Sequence, residues 1–137
     1  MINLADIIEP GARAERTITV THELTVQHAY PQLPAVYATP QLIMLMEIAA
    51  ADAILPMLPD GWGSVGTLVD VRHLAATRVG DVVVANATVV EVFEKTVRFE
   101  CTAHDSSEQI GSGFHERAPI DIARFVKRVE NKPTAKS

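Results

Sequence analysis

Disulfide chemistry is missing from this chain. Its one cysteine, Cys101, can form no intramolecular bridge, which points to a reducing compartment, with the cytoplasm the expected location. Positive charge is also in short supply: 12 Lys and Arg stand against 17 Asp and Glu, a formal net charge of -5. Such a chain repels a phosphate backbone, so nucleic acid is not an expected partner, although a local cluster of Arg and Lys can still hold a small anion. No basic stretch leads into an apolar run at the start, MINLADIIEPGARAER, so no signal peptide is read there. The longest apolar run, Leu42 to Leu58, is broken by Glu47, Asp52 and Pro56, which makes it a poor membrane span, and no membrane is expected as a partner. There is no Walker A loop, no G-x-G-x-x-G opening a helix and no G-x-S-x-G elbow. The histidines (His22, His28, His73, His104, His115) show no zinc-type spacing, so no metal is expected.

What remains is a globular composition of 137 residues, 47% apolar and 21% charged, which suits a single domain over residues 1–137. Its ordered core is expected over about 17–125, with ENKPTAKS as a frayed tail. TITVTHELTVQ, Thr17 to Gln27, is rich in Thr and Val and reads as a strand. HAYPQLPAVYATP, with three prolines, reads as a loop. Thr39-Pro40 starts a helix, Thr39 as N-cap, running to about Leu55 and stopped by Pro56, Pro59 and Asp60-Gly61. That helix is apolar nearly all round, so strands must wrap it. Val65–Leu74 alternates with Val65, Thr67, Val69, Val71 and His73 on one face. Val82–Phe93, Thr96–Asp105 and Glu108–Ile122 follow as strands joined by tight turns, with Gly111 and Gly113 as bulge or close-approach points. A short helix over Ala123–Glu130 closes the chain. The order describes an α+β fold, a curved antiparallel sheet around one long central helix. An open sheet edge and a part-covered helix predict at least a dimer.

Glu47 is the outstanding residue, because an unpaired buried carboxylate is costly. It either reaches solvent, a dimer seam or an Arg partner, or it works in a dry cleft as base or nucleophile. His73 shares a face with Val69 and Val71. It is a packed core residue or, near a carboxylate, a proton relay. Thr39 either caps the helix or turns its hydroxyl to a ligand. Eight residues separate it from Glu47, about 12 Å along a continuous helix, so the two meet only through a bend or across two subunits. Gly66 is a strand glycine at a bulge or an amide donor to a carbonyl oxygen. Arg72, Arg78 and Arg117 are either solvated or candidates for ligand phosphates. Cys101 reads as inert packing.

The segments YATPQLIMLMEIAA, SVGTLVDVRHLAATRVGD and TAHDSSEQIGSGFHERAPI together resemble the hot-dog thioesterases, and within them the fluoroacetyl-CoA thioesterase-like group. The resemblance runs from about Thr17 to Phe125 and is carried by Thr39, Glu47, His73 and the G-x-G-x-H-E-R element at Gly111–Arg117. It implies a hot-dog fold, side-by-side homodimers, and hydrolysis of an acyl-CoA to free acid and coenzyme A. Coenzyme A then enters as part of the substrate, and no cofactor is needed. It implies catalytic roles for Thr39, Glu47 and His73 and substrate contacts from Gly66, with Tyr30, Tyr37 and Arg117 as further candidates. The segment between Val26 and Thr39 carries Tyr30, Leu33, Val36 and Tyr37 and no phenylalanine where the resemblance implies an aromatic lid, so a more general short-chain acyl-CoA is expected. A non-catalytic acyl-CoA or acyl-carrier binding protein is the alternative. An enoyl-CoA hydratase ranks below both, because Asp70 and His73 fall on opposite faces of one strand.

Overall fold

The computed structural model describes residues 2–134. Five strands form one antiparallel sheet: β1 (Arg13–Thr19), β2 (Trp62–His73), β3 (Val82–Val92), β4 (Val97–His104) and β5 (Gln109–Asp121), in the order β1-β3-β4-β5-β2. Four helices accompany them: α1 (Leu4–Ile7), α2 (Val26–Ala29), α3 (Thr39–Ile54) and α4 (Ile122–Glu130). The sheet curves around α3, the α+β arrangement expected from the apolar run.

Alternation decides what faces α3. In β3 and β4 every second residue is fully buried: Val83, Ala85, Ala87 and Val89 on one strand, Val97, Phe99, Cys101 and Ala103 on the other. These small and β-branched side chains meet Leu42, Leu45, Met46, Ala49, Ala50, Ala53 and Ile54 of α3. The alanines let helix and sheet approach closely. Gly111 carries this further, because a Cβ there would press on Met46 and Leu42 at 2.9 and 3.0 Å. At Gly113 a Cβ would strike the backbone of Asp70 and Val71, so only glycine lets β5 lie this close to β2. Both are close-approach points, as the spacing predicts. Asp52, the other acid in the apolar run, pairs with Arg16 of β1 at 2.6 Å.

The N-terminal third differs from the sequence reading. The strand expected over Thr17–Gln27 is instead Arg13–Thr19. A 3-10 turn, His22–Leu24, and α2 follow it. Thr25 redirects the chain: its hydroxyl donates to the His22 carbonyl and accepts from the His28 amide, a cap that competes with strand pairing. The packed part of the chain also begins before residue 17, since Leu4 and Ile8 are buried in the core. Downstream it passes residue 125, as α4 runs to Glu130. Of the expected tail, residues 135–137 lie outside the described residues.

A β-bulge between Gly66 and Leu68 shifts the register of β2 on β5 and leaves Thr67 without a partner. It therefore splits the single face read for Val65–His73. Residues opposite one another in a ladder share a face, so Gly66 joins Arg117, Val69 joins His115 and His73 joins Gly111. Ser64 and Gly66 replace Val65 and Thr67 on the helix side.

Phe99 is the largest fully buried side chain, at 0% exposure. Phe99→Ala is expected to lower the free energy of unfolding by about 3–5 kcal/mol, read from urea denaturation.

Candidate active site

Glu47 sits mid-helix on a stripe of α3 that the sheet leaves partly uncovered. Its neighbours at helical spacing are Met44, 51% exposed, and the half-buried Ile43 and Ala51. The Glu47 side chain retains 27% exposure, and its Oε1 accepts a hydrogen bond from Arg117 Nη1 at 3.2 Å. Oε2 has no hydrogen-bond partner among the described residues. Arg117 reaches α3 because the alternation of β5 turns it, with His115, toward the helix.

Every donor-bearing nitrogen of the Arg117 guanidinium is engaged. Nε donates to Ser64 Oγ at 2.8 Å, Nη2 to the Ser64 carbonyl at 2.7 Å, and Nη1 to both Glu47 and His115 Nε2, the latter at 3.1 Å. Burial disfavours its charge and holds its pKa below the usual value, and the Glu47 carboxylate opposes that shift. Arg117 is thus neither a solvated surface residue nor free to hold a ligand phosphate. It is 7% exposed, with its hydrogen bonds committed inside the protein.

His115 is the group that sequence reasoning missed. It is 1% exposed, and Nδ1 donates to the Leu68 carbonyl at 2.8 Å, since a carbonyl only accepts. That fixes Nε2 as the acceptor facing Arg117 and the ring as neutral. Burial pushes its pKa down, and the Arg117 charge adds to the effect against the Leu68 bond and the Glu47 and Glu116 charges. The ring lies stacked against Phe99, with centroids 6.2 Å apart. The signal was the pair H-x-R on an alternating strand, which puts both side chains on one face. Gly66 completes this group, because a Cβ there would run into Glu47 Oε1 and stand 3.1 Å from His115 Cε1.

Thr39 and His73 form a second group. Thr39 is the first residue of α3, and Ala38, not Thr39, is the N-cap, without a side-chain cap bond. The Thr39 hydroxyl is instead bonded to His73 Nδ1 at 2.7 Å. His73 Nε2 is buried with no partner among the described residues. Burial lowers the His73 pKa, against a backbone hydrogen bond at Ala75. Beside the pair lies a cavity of about 480 Å³ whose walls include Val26, Val36, Tyr37 and Ala75. Tyr37 is 2% exposed and donates its hydroxyl to the Gln41 carbonyl at 3.1 Å, while burial raises its pKa to about 12. Tyr30 is 56% exposed and outside this cavity wall. Arg72 and Arg78 are exposed. Cys101 is fully buried with its thiol pushed up to about 12, which makes it inert packing. Among the described residues no group of three or more His, Cys, Asp and Glu is placed to hold a metal ion.

Glu47 and Thr39 therefore do not meet within one chain. They sit on one continuous helix, and Gly66 and His73 lie about 20 Å apart along β2. One copy holds two partial sites, one beside Gly66 within its edge strand and one at the His73 end.

A curved five-stranded sheet around one helix, with a paired carboxylate at the open edge, defines a hot-dog domain. The structure of the hot-dog-like protein from Thermanaerovibrio acidaminovorans superposes with a TM-score of 0.87 over 98% of this chain and 100% of that one, at 24% identity. The model of the fluoroacetyl-CoA-specific thioesterase family matches residues 20–123, and this chain belongs to that family. The fluoroacetyl-CoA thioesterase of Streptantibioticus cattleyicolor is 36% identical over 138 residues, covering 96% of this chain and 99% of its own. A solved structure of the fluoroacetyl-CoA thioesterase FlK has a TM-score of 0.86 at 36% identity, over 93% of this chain and 98% of that chain.

The neutral buried His115 has a consequence for pH. The unfolded chain takes up a proton near the ordinary value of 6.5, and the folded site resists it until lower pH. Its contribution to stability is present above that value and is lost as pH falls below it. Urea unfolding followed from about pH 7.5 to about 5.5 is expected to show wild-type stability falling, with a shallower fall in His115→Gln. Equal slopes in both proteins would assign the proton uptake to other groups.

Proposed function

We propose that this protein hydrolyses a small acyl-CoA thioester to the free acid and coenzyme A, at a site shared between two copies of the chain. The observation that carries the reading is Glu47. One oxygen is held by Arg117 in the room that Gly66, lacking a side chain, leaves for it, and the other is open. Membership of the fluoroacetyl-CoA-specific thioesterase family supports thioester hydrolysis as the reaction class.

In the proposed mechanism the thioester carbonyl lies over Gly66, whose backbone amide donates to the oxygen as it gains charge. Glu47 then acts in one of two ways. Oε2 attacks the carbonyl carbon, the C–S bond breaks, and water cleaves the resulting anhydride. Alternatively, Glu47 takes a proton from the water that attacks. Either route consumes one water and releases one acid and one thiol. His73 Nε2 is the group that moves a proton toward the leaving sulfur, and Thr39 holds the ring through Nδ1. Arg117 and His115 act as positioning residues behind the carboxylate. Tyr37 shapes the acyl cavity. With no phenylalanine in the segment from Val26 to Thr39, the proposed acyl group is a short chain not restricted to fluoroacetyl. A cytoplasmic setting is inferred from the single, buried cysteine.

A homodimer is part of this reading. β2 is an edge strand with Leu68 and Val69 40% and 46% exposed, beside the uncovered Met44 stripe. Antiparallel pairing of β2 with its copy, centred on Asp70, sets Val69 opposite Val71 and Leu68 opposite Arg72 of the partner subunit, and, because Thr67 takes no partner, Gly66 opposite His73 of the partner subunit. Each site then takes Glu47 and Gly66 from one copy and Thr39 and His73 from the other.

Glu47→Gln and His73→Ala are each expected to reduce kcat on short acyl-CoA thioesters by about 10²–10⁴. Mixing and re-assembling the two inactive variants is expected to restore activity, since each mixed dimer regains one site with both groups intact. Wild type and both variants hydrolysing every thioester equally slowly would overturn the assignments, and no recovery on mixing would overturn the shared site. Light scattering of the wild type checks the dimer itself.

A further inference from the structure

The end of the sheet where β2 begins and β5 ends carries a groove of about 870 Å³ that the chemistry above leaves unused. Trp62 and Phe125 supply aromatic surface. Arg124, Lys127, Arg128 and Lys132 line it from α4 and the turn after it. These four are a third of the 12 basic residues in a chain whose net charge is -5. None of the four forms a salt bridge among the described residues. Asp121 also lines the groove, but its carboxylate accepts from the Arg124 amide as the N-cap of α4. Arg128 stands 5.8 Å over the Phe125 ring. No residue of α4 is buried, so the helix is not spent on the core.

Aromatic surface beside unneutralised cations matches an aromatic base that carries phosphates. The base stacks on a ring, and the phosphates take charge-assisted hydrogen bonds. The position along the strand matters equally. Trp62 lies four residues before Gly66 on β2, about 13 Å away. A coenzyme A thioester separates its reacting carbonyl from its nucleotide by the extended pantetheine arm, a linear chain with two amides that suits such a span.

We infer that this groove is the subsite for the nucleotide end of coenzyme A, its 3′-phosphorylated ADP group. Trp62 receives the adenine, and Lys127 and Arg128, supported by Arg124 and Lys132, receive the phosphates. The inference rests on the acyl-CoA reading and adds to it a site remote from the reacting atoms.

Trp62 is the only tryptophan, so its fluorescence reports on the groove directly. Adenosine 3′,5′-bisphosphate added to the intact wild-type protein is expected to change that fluorescence saturably, and pantetheine is not. The double variant Lys127→Ala/Arg128→Ala is expected to weaken bisphosphate binding about tenfold for each cation removed. The same variant is expected to raise KM for acetyl-CoA relative to acetyl-pantetheine by a similar factor. The substituted side chains are unburied, and circular dichroism checks the fold. No response of Trp62 to the bisphosphate, or an unchanged ratio of the two KM values, would overturn the subsite. A response to anionic phospholipid vesicles alone would also overturn it, in favour of a lipid surface. If the wild type cleaves neither thioester, the hydrolase reading fails, while the Trp62 titration still decides the nucleotide subsite.

Discussion

The ion pair between Glu47 and Arg117 constrains much of its surroundings. A carboxylate in an apolar helix requires an opposite charge when water is partly removed, and the charge must itself be fully hydrogen-bonded. Arg117 meets that requirement only because Ser64 offers two acceptors and His115 a third. His115 can accept only while it is neutral, and its bond to the Leu68 carbonyl fixes the tautomer that does so. The carboxylate in turn occupies the space where a side chain at position 66 would stand. The side chains of Glu47, Ser64, His115 and Arg117, the Leu68 carbonyl and the bare backbone of Gly66, from three elements, are thereby tied to one another. A change at any of them leaves a buried polar group without its partner or a clash at the carboxylate.

The same helix serves the core on one side and an open surface on the other. Leu42, Leu45, Met46 and Ala49 are sealed by the sheet, while Met44, Glu47, Ile48 and Leu55 are not. A long edge strand lies next to this stripe with its outer hydrogen-bonding groups unmatched, and such an edge is a template for another strand. Covering both with a second copy removes two liabilities at once. Under the proposed mechanism it also joins groups that one chain holds about 20 Å apart. The helical run Thr39–Met57, α3 with the 3-10 turn that follows it, is long enough and apolar enough by composition to cross a membrane, yet the buried face of α3 is part of one core cluster with β3 and β4.

Much of this was legible from the residues. The apolar run bounded by Thr39-Pro40 and Pro56 marked the central helix, and strict alternation marked β3 and β4. Glu47 stood out as a carboxylate in the middle of the apolar run, and of the readings offered for it the structure supplies the arginine partner. The identity of that partner was not legible, because Arg117 lies 70 residues away and β5 carries other charged side chains. The bulge at Thr67 was hidden for a related reason: alternation assumes an unbroken register, and one extra residue exchanges the faces upstream of it. Thr17–Gln27 misled because Thr favours strands in general but caps turns where its hydroxyl finds a local backbone group, as at Thr25. The N-terminal helix was missed because four residues are too few to show a period.

Strand β2 then has a meaning beyond its place in the sheet. It begins beside the cationic groove at Trp62, passes the carboxylate at Gly66 and ends at His73. A long, thin ligand laid along it would meet, in order, a surface suited to phosphates, an amide beside a carboxylate, and, in the proposed dimer, the partner's proton-moving group. The bulge sits just past Gly66 and frees backbone groups there from regular pairing, which the proposed mechanism uses to receive the thioester carbonyl. A strand pinned along one edge by β5 and open along the other holds these positions at fixed spacing, which a mobile loop would not. The rigidity that Gly113 allows, by letting β5 lie against the backbone of Asp70, thus serves the spacing of the site as much as the packing of the sheet.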